Sequence, residues 1–316
     1  MTDKKNLGRV SLFLATLIWG VSFVLMDLTL NSVPALYILA IRFLGAAVIL
    51  LAVGARELKK IDRGYIRGGV VMGVILLAAY CFQTFGLPLT TPGKNAFLTS
   101  VYCVMVPFLY WFIIKKRPDK YNVIAGVVCL AGIGFISLDN HFAIGLGDGL
   151  TLICGFLYAV HMVICGAVVE ERSPILVSML QFAVAGVLAA IMALIFQPAP
   201  THIPVSTVWV LVFLTVMSTA LCLSLQIFGQ KHTPTAQASV IMTFEAVFGA
   251  ATSVLFYGET LTLRLVIGFL LTFAAVLISE TKLGFFRKKA TAASAKETIT
   301  TESETVELNQ TGGNNP

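Results

Sequence analysis

Ten apolar runs, each long enough to cross a membrane as a helix, follow one another along most of the chain. A helix needs roughly 20 apolar residues to cross the hydrocarbon core of a bilayer. The runs lie near residues 10–30, 34–54, 68–87, 95–114, 122–138, 147–168, 175–196, 205–228, 236–256 and 263–284. Their close spacing leaves only short loops, so no soluble domain fits between them. We therefore expect an all-α membrane protein with ten transmembrane helices.

The composition excludes a soluble enzyme with a conventional polar exterior. Only 12% of the 316 residues are charged, whereas 57% are hydrophobic. A soluble domain typically carries about 25% charged residues. All six cysteines fall inside apolar runs and show no paired spacing. The sequence therefore predicts neither disulfides nor a zinc site.

The basic residues predict how the chain is oriented. Of the 22 Lys and Arg residues, 19 lie on one side of the predicted membrane, and Arg42, Lys94 and Arg264 lie elsewhere. The positive-inside rule then predicts that both termini of this multi-pass protein are cytoplasmic, with residues 1–9 as the N-terminal segment. The basic residues are split among loop ends without interleaved aromatics, so no nucleic-acid partner is expected.

The two halves of the chain resemble each other at an offset of 139 to 143 residues. Each match is weak alone, but the matches keep their order, which argues against chance. The matched segments are 19–22 with 158–161, 42–43 with 181–182, 83–86 with 226–229, and Tyr102 with Glu245.

The matches divide the chain into two repeats of five spans, residues 10–138 and 147–284. An odd number of spans makes the second repeat enter the membrane from the opposite side. Inverted repeats of this kind are a recurring transporter design, in which the halves rock around a central site. The remaining segment, 286–316, opens with basic residues and continues in small polar ones, so we expect a disordered cytoplasmic tail.

Several short motifs resemble the drug/metabolite transporter superfamily, in its bacterial ten-span branch of EamA-type permeases. They are Trp19-Gly20-Val21-Ser22-Phe23, Arg42-Phe43, Thr90-Thr91, Glu245 and Gly258-Glu259-Thr260-Leu261-Thr262. The resemblance implies a basket of helices around a central cavity, and members export amino acids, drugs and other metabolites. The chain departs from the family at Ala246, where proline is usual. The sequence therefore does not decide whether span 9 is kinked there.

Two charges lie inside the predicted spans. A charge at the bilayer centre costs from about 3 to over 10 kcal/mol, so it normally faces a partner or a wet cavity. Glu245 either takes up a proton or contacts a cation from a cavity, or it is a neutral acid that packs two helices. Arg42 either binds a substrate carboxylate or forms a structural ion pair with Glu245 or Asp27.

Polar residues of span 4 form one stripe. Asn95, Thr99 and Tyr102 are spaced i, i+4 and i+7, which places them on one face of a helix. That face is expected to point inward, where it contacts substrate or hydrogen-bonds to another helix. Lys94, at the mouth of the same span, either extends its charge to the interface or attracts anions.

Equivalent positions in spans 1 and 6 carry Trp19 with Ser22 and Tyr158 with His161. The two aromatic residues lie too deep for an interfacial belt and form either walls around an apolar ligand or plain packing. His161 either titrates near neutral pH or is structural. Three glutamines, which either line the cavity or join helices, complete the predicted substrate-binding set: Gln83, Gln181 and Gln226.

The motifs of ATP-driven and cofactor-dependent proteins are missing from the sequence: it contains no P-loop, Rossmann fingerprint, HExxH or CxxC. We expect a secondary transporter without cofactor, metal or catalytic residues, whose partners are the bilayer and a small metabolite such as an amino acid. Export is the preferred direction, with uptake or passive uniport as alternatives, and proton coupling through Glu245 stays open. No obligatory protein partner is evident. An enzyme is disfavoured by four scattered histidines, and a channel by the lack of a selectivity-filter repeat.

Overall fold

The structure, a computed structural model, describes residues 2–115, 117, 120–137 and 144–281. Its α-helices are α1 (Thr2–Leu30), α2 (Ala35–Gly54), α3 (Arg63–Gly86), α4 (Pro92–Ser100), α5 (Tyr102–Ile114), α6 (Lys120–Ser137), α7 (Leu146–Val169), α8 (Pro174–Phe196), α9 (Val205–Phe213), α10 (Cys222–His232), α11 (Thr235–Met242), α12 (Phe244–Thr252) and α13 (Leu263–Thr281). Two wide π-helical segments, Leu214–Leu221 and Ser253–Tyr257, continue α9 and α12. Short 3₁₀ turns at Ala55–Lys60 and Leu87–Leu89 follow α2 and α3.

These helices make up the ten predicted spans. Seven helical stretches are long and apolar enough to cross a bilayer, and the shorter apolar helices Val123–Ile136, Phe244–Tyr257 and Leu263–Ala275 account for the other three. The all-α, ten-span architecture is therefore confirmed. The predicted tail at 286–316, and the predicted repeat ends at 138 and 282–284, lie outside the described residues.

The spans begin at residues suited to a helix start. Asp62 accepts a hydrogen bond from the backbone N–H of Tyr65 at 2.8 Å and caps α3. Thr91 caps α4 in the same way, and Pro92 follows at the first helical position, where its missing N–H removes no helical bond. Such caps allow short loops, because each new helix can begin within a few residues of the end of the previous helix.

The helices pair in a pattern that is unchanged when the two halves are exchanged. Span 2 (α2) packs against span 7 (α8), and span 5 (α6) packs against span 10 (α13). Span 3 (α3) packs against span 6 (α7), and in the same way span 8 (α10) packs against span 1 (α1). Span 4 (α4 and α5) also packs against span 6, and its counterpart span 9 (α12) packs against span 1. This pairing agrees with two related five-span repeats. The opposite orientation of the second repeat stays a prediction.

Spans 1, 4 and 9 approach closely because glycines lie at their crossings. A β-carbon added to Gly20 in α1 would overlap Phe248 in α12. One added to Gly249 in α12 would overlap Ala96 in α4. Small residues at such positions let membrane helices pack backbone to backbone, and here they bring three cavity-forming spans together.

Spans 4 and 9 are both interrupted near their middle. Val101 separates α4 from α5, and Thr243 separates α11 from α12. In span 9 the backbone N–H of Ala246 reaches the carbonyl of Thr243 at 3.0 Å, a tighter turn than an α-helix makes. The interruption thus forms without the proline that the family usually has there. Tyr102 and Glu245, aligned in the two repeats, lie directly beside the breaks.

Candidate functional site

A cavity of about 50 Å³ lies between spans 1, 2, 3, 4, 6, 8 and 9. Small-molecule pockets span roughly 300–1,000 Å³, so this cavity has to widen before it can hold a metabolite. Nine of the predicted residues line it: Trp19, Ser22, Arg42, Gln83, Thr99, Tyr102, Tyr158, Gln226 and Glu245.

The other three predicted residues are fully buried away from the cavity. His161 in α7 and Gln181 in α8 are hydrogen-bonded to each other at 2.9 Å. Asn95 in α4 donates to Oγ1 of Thr151 in α7 at 2.9 Å. All three therefore join neighbouring helices in this structure.

Arg42 points into the cavity from α2 and is held by neutral groups. Its Nε donates to Oγ1 of Thr219 at 3.0 Å, and Nη2 donates to Oγ of Ser218 at 3.2 Å. Nη1 lies 3.6 Å from Sδ of Met26, and the guanidinium carbon is 5.1 Å from the ring centre of Tyr80. The guanidinium is thus fixed between spans 1, 3 and 8.

Glu245 enters the same cavity from the first turn of α12 and is only 6% exposed. Within the described part of the chain, the ion pairs are Lys60–Glu57 and Lys94–Asp148. The predicted alternative in which Arg42 pairs with Glu245 or Asp27 is therefore not formed. Arg42 and Glu245 therefore share one cavity without forming an ion pair.

Aromatic residues supply much of the cavity wall. The ring of Tyr158 meets those of Tyr80 and Tyr102 edge to face, with centroids 5.6 and 6.4 Å apart. Trp19 donates from Nε1 to the carbonyl of Ser218 at 2.8 Å. This bond fixes the indole at the cavity edge next to the hydroxyl that Arg42 contacts. Such amphipathic side chains suit a ligand with both apolar and polar parts.

Glutamines join the helices around the cavity, and Gln226 and Gln230 do so toward the basic face, the membrane side whose loops carry most Lys and Arg. Gln226 is hydrogen-bonded to Gln230 at 3.3 Å, and Gln230 donates to the carbonyl of Met162 at 3.3 Å. This second bond joins span 8 to span 6. Gln83, aligned with Gln226, donates to Thr99 at 3.2 Å and joins span 3 to span 4.

At the opposite face, an ion pair joins the two repeats. Nζ of Lys94, at the start of α4, lies 3.0 Å from Oδ2 of Asp148 in α7. Thr90 donates its hydroxyl to the other carboxylate oxygen. Lys94 is therefore engaged by a carboxylate and does not simply extend to the membrane interface.

A second carboxylate at this face caps the start of α4. Glu259, in the loop after α12, accepts hydrogen bonds from the Thr91 hydroxyl, the Gly93 backbone N–H and the Ser253 hydroxyl. A negative charge is favourable at a helix N-terminus, where backbone N–H groups have no helical acceptor. Glu259 thus ties span 4 to the link between spans 9 and 10.

The sequence reasoning missed the groups that surround Arg42: Met26, Tyr80, Ser218 and Thr219. Helical spacing could have suggested Tyr80, because it precedes Gln83 by three residues on one face of α3. The wide turn of Leu214–Leu221, which presents Ser218 and Thr219, leaves no equivalent signal. Turns of this kind occur frequently at functional sites.

The EamA-like transporter family matches this chain over residues 6–138 and 145–281. An uncharacterized transporter from Archaeoglobus fulgidus is 28% identical over 277 residues, covering 87% of each chain. The uncharacterized transporter YoaV of Bacillus subtilis is 22% identical over 295 residues, covering 90% of this chain and 99% of its own. A solved crystal structure superposes with a TM-score of 0.66 at 16% identity, covering 86% of this chain and 96% of that one, which shows the fold alone.

Proposed function

Because the chain belongs to the EamA-like transporter family, within the drug/metabolite transporter superfamily, we propose that it is a secondary transporter of a small amphipathic metabolite such as an amino acid. It is an integral multi-pass membrane protein with a transporter role. The proposal adds a substrate class, a direction and a mechanism. We take the direction to be export across the bacterial inner membrane, on the resemblance to exporters and the predicted cytoplasmic termini.

One observation carries the proposal: a cavity between the two repeats encloses one acidic and one basic side chain together with an aromatic wall. Buried charges are costly in a membrane and mark substrate or ion pathways. An amphipathic metabolite offers complementary groups to each part of this wall.

Alternating access would arise from rocking of the two five-span repeats around the cavity. The bond from Gln230 to Met162 closes span 8 on span 6 toward the basic face. The ion pair of Lys94 with Asp148 joins span 4 to span 6 at the opposite face. In the proposed cycle, these contacts break in turn, so the cavity opens to one side at a time.

Glu245 is the proposed proton-coupling residue. It lines the cavity without an ion-pair partner among the described residues, and a carboxyl group can carry one proton across the cycle. Uniport is the rival coupling mode. The two differ in whether a pH gradient drives accumulation of substrate.

Solute counterflow in proteoliposomes tests the transporter proposal. Liposomes loaded with an unlabelled amino-acid mixture are diluted into trace amounts of each labelled amino acid. A carrier accumulates label transiently because internal substrate returns the cavity to the outside, whereas a channel equilibrates without trans-stimulation. Counterflow of at least one amino acid supports the proposal. Equilibration without overshoot would indicate a channel, and no flux above protein-free liposomes would contradict an amino-acid substrate.

A further inference from the structure

The guanidinium of Arg42 is a buried cation whose hydrogen bonds are only partly used. Arginine has five N–H donors, and three of them reach Thr219, Ser218 and Met26. Within the described residues, one donor on each terminal nitrogen has no acceptor. The side chain is 3% exposed and cannot lose its charge at accessible pH. A fixed positive charge with unused donors therefore lines the cavity.

The surroundings of Arg42 hold this orientation. The Thr219 hydroxyl donates to the carbonyl of Leu214 at 2.8 Å, so a lone pair of its oxygen is left for Nε of Arg42. The backbone that carries Ser218 is held in turn by the indole N–H of Trp19. Both partners come from the wide turn of span 8, which belongs to the other repeat. A site that is fixed before binding loses less entropy when a ligand arrives.

We propose that Arg42 anchors a carboxylate group of the transported molecule, through the two remaining N–H donors of its terminal nitrogens. A planar guanidinium matches a carboxylate in a two-bond geometry. Arg42 is the one Lys or Arg among the described residues that line the cavity. With Glu245 of the same cavity in its neutral form, Arg42 balances a single negative charge. A phosphate dianion would keep an uncompensated charge there. This inference rests on the proposed transport function and names its substrate class.

Trp19 allows the site to be tested without knowing the natural substrate. The chain has three tryptophans, and the other two, Trp111 and Trp209, are 44% and 70% exposed. In a W111F/W209F background, fluorescence of Trp19 reports on the cavity beside Arg42. The probes are phenylacetate and phenylacetamide, which match in size and differ in the carboxylate.

Saturable quenching by phenylacetate, at least about tenfold tighter than by phenylacetamide, is expected, since a hydrogen-bonded charge adds about 1.5–3 kcal/mol. Arg42→Gln should remove the difference between the probes. Arg42→Lys should keep part of it, because the charge remains while the paired donors are lost. Arg264→Gln, a control outside the cavity whose Nε binds the Phe135 carbonyl, should change nothing.

Equal affinity for both probes in the W111F/W209F protein, or no saturable response to either, would overturn the proposal even if Arg42→Gln fails to fold. Tighter displacement of phenylacetate by inorganic phosphate than by acetate would overturn the carboxylate assignment. Carboxylate-selective binding without counterflow would leave this inference standing and remove the transport function. Counterflow of phenylacetamide as fast as that of phenylacetate would leave the transport function standing and overturn the carboxylate inference.

Discussion

Nε of Arg42 in span 2 donates to Oγ1 of Thr219 in span 8, 3.0 Å away. The two residues are 177 positions apart and belong to different repeats. The bond therefore joins the halves at the cavity wall and fixes the orientation of Arg42, the one cationic side chain among the described residues that line the cavity. Any movement of one repeat against the other changes this contact.

Replacing Thr219 by valine tests that contact. Valine keeps the shape but removes the acceptor, and leaving a charged donor unpaired costs about 1–3 kcal/mol. We expect Thr219→Val to lower the thermal stability of the detergent-purified protein and to raise the KM for counterflow. Thr29→Val is the matched control, because the Thr29 hydroxyl bonds only to Leu25 in its own helix. Equal effects of the two variants would contradict a bridging role for Thr219.

Glu245→Gln distinguishes proton coupling from uniport. Glutamine has nearly the same size but cannot exchange a proton. We expect counterflow at equal pH to continue, while accumulation driven by a pH gradient is lost. The measurement is uptake of labelled substrate into proteoliposomes with and without the gradient. Glu57→Gln, which alters a carboxylate outside the cavity that pairs with Lys60, should behave as wild type. Unchanged gradient-driven uptake in Glu245→Gln would exclude this residue from coupling.

The ion pair between Lys94 and Asp148 holds the cavity closed toward the face opposite the basic one in the proposed cycle. Removing the pair should therefore favour the conformation that is open to that face. Asp148→Asn weakens the closure of span 4 on span 6, because Lys94 loses its charged partner. A cysteine placed at Thr84, a buried cavity residue, should then react faster with an impermeant thiol reagent added at the face opposite the basic one. The control is Lys60→Gln at the basic face. Slower labelling in Asp148→Asn would contradict the role of this ion pair in closing the cavity.

The crossing of spans 4 and 9 predicts a stability effect of a single methyl group. Gly249→Ala would place its Cβ against Ala96, and overpacking costs typically about 1–3 kcal/mol. We expect a lower melting temperature in detergent. Gly149→Ala is the control, because nothing lies within 4 Å of an added Cβ there. A similar melting temperature for both variants would mean that the crossing is looser than described.

The sequence predicted the ten spans well because each requires a long apolar run, a signal that local composition contains. It predicted less about which helix faces meet. The sequence predicted that His161 and Gln181 line the cavity, as it did for Gln83. In the structure, their helices are oriented so that the two side chains hydrogen-bond to each other. Ser218 and Thr219, which hydrogen-bond Arg42, were missed because they come from the other repeat and from a wide turn. Neither the break at Thr243 nor its position beside Glu245 follows from hydropathy, since no proline marks it.

In the proposed mechanism, substrate passes through the cavity between the repeats. This route is tested most directly by counterflow with Ser22→Trp, which fills the cavity from α1, compared with Val48→Trp, which adds the same bulk to an exposed position on α2. We expect Ser22→Trp to abolish counterflow and Val48→Trp to keep it, with both proteins folded by size-exclusion profile. Wild-type counterflow in a folded Ser22→Trp protein would contradict the claim.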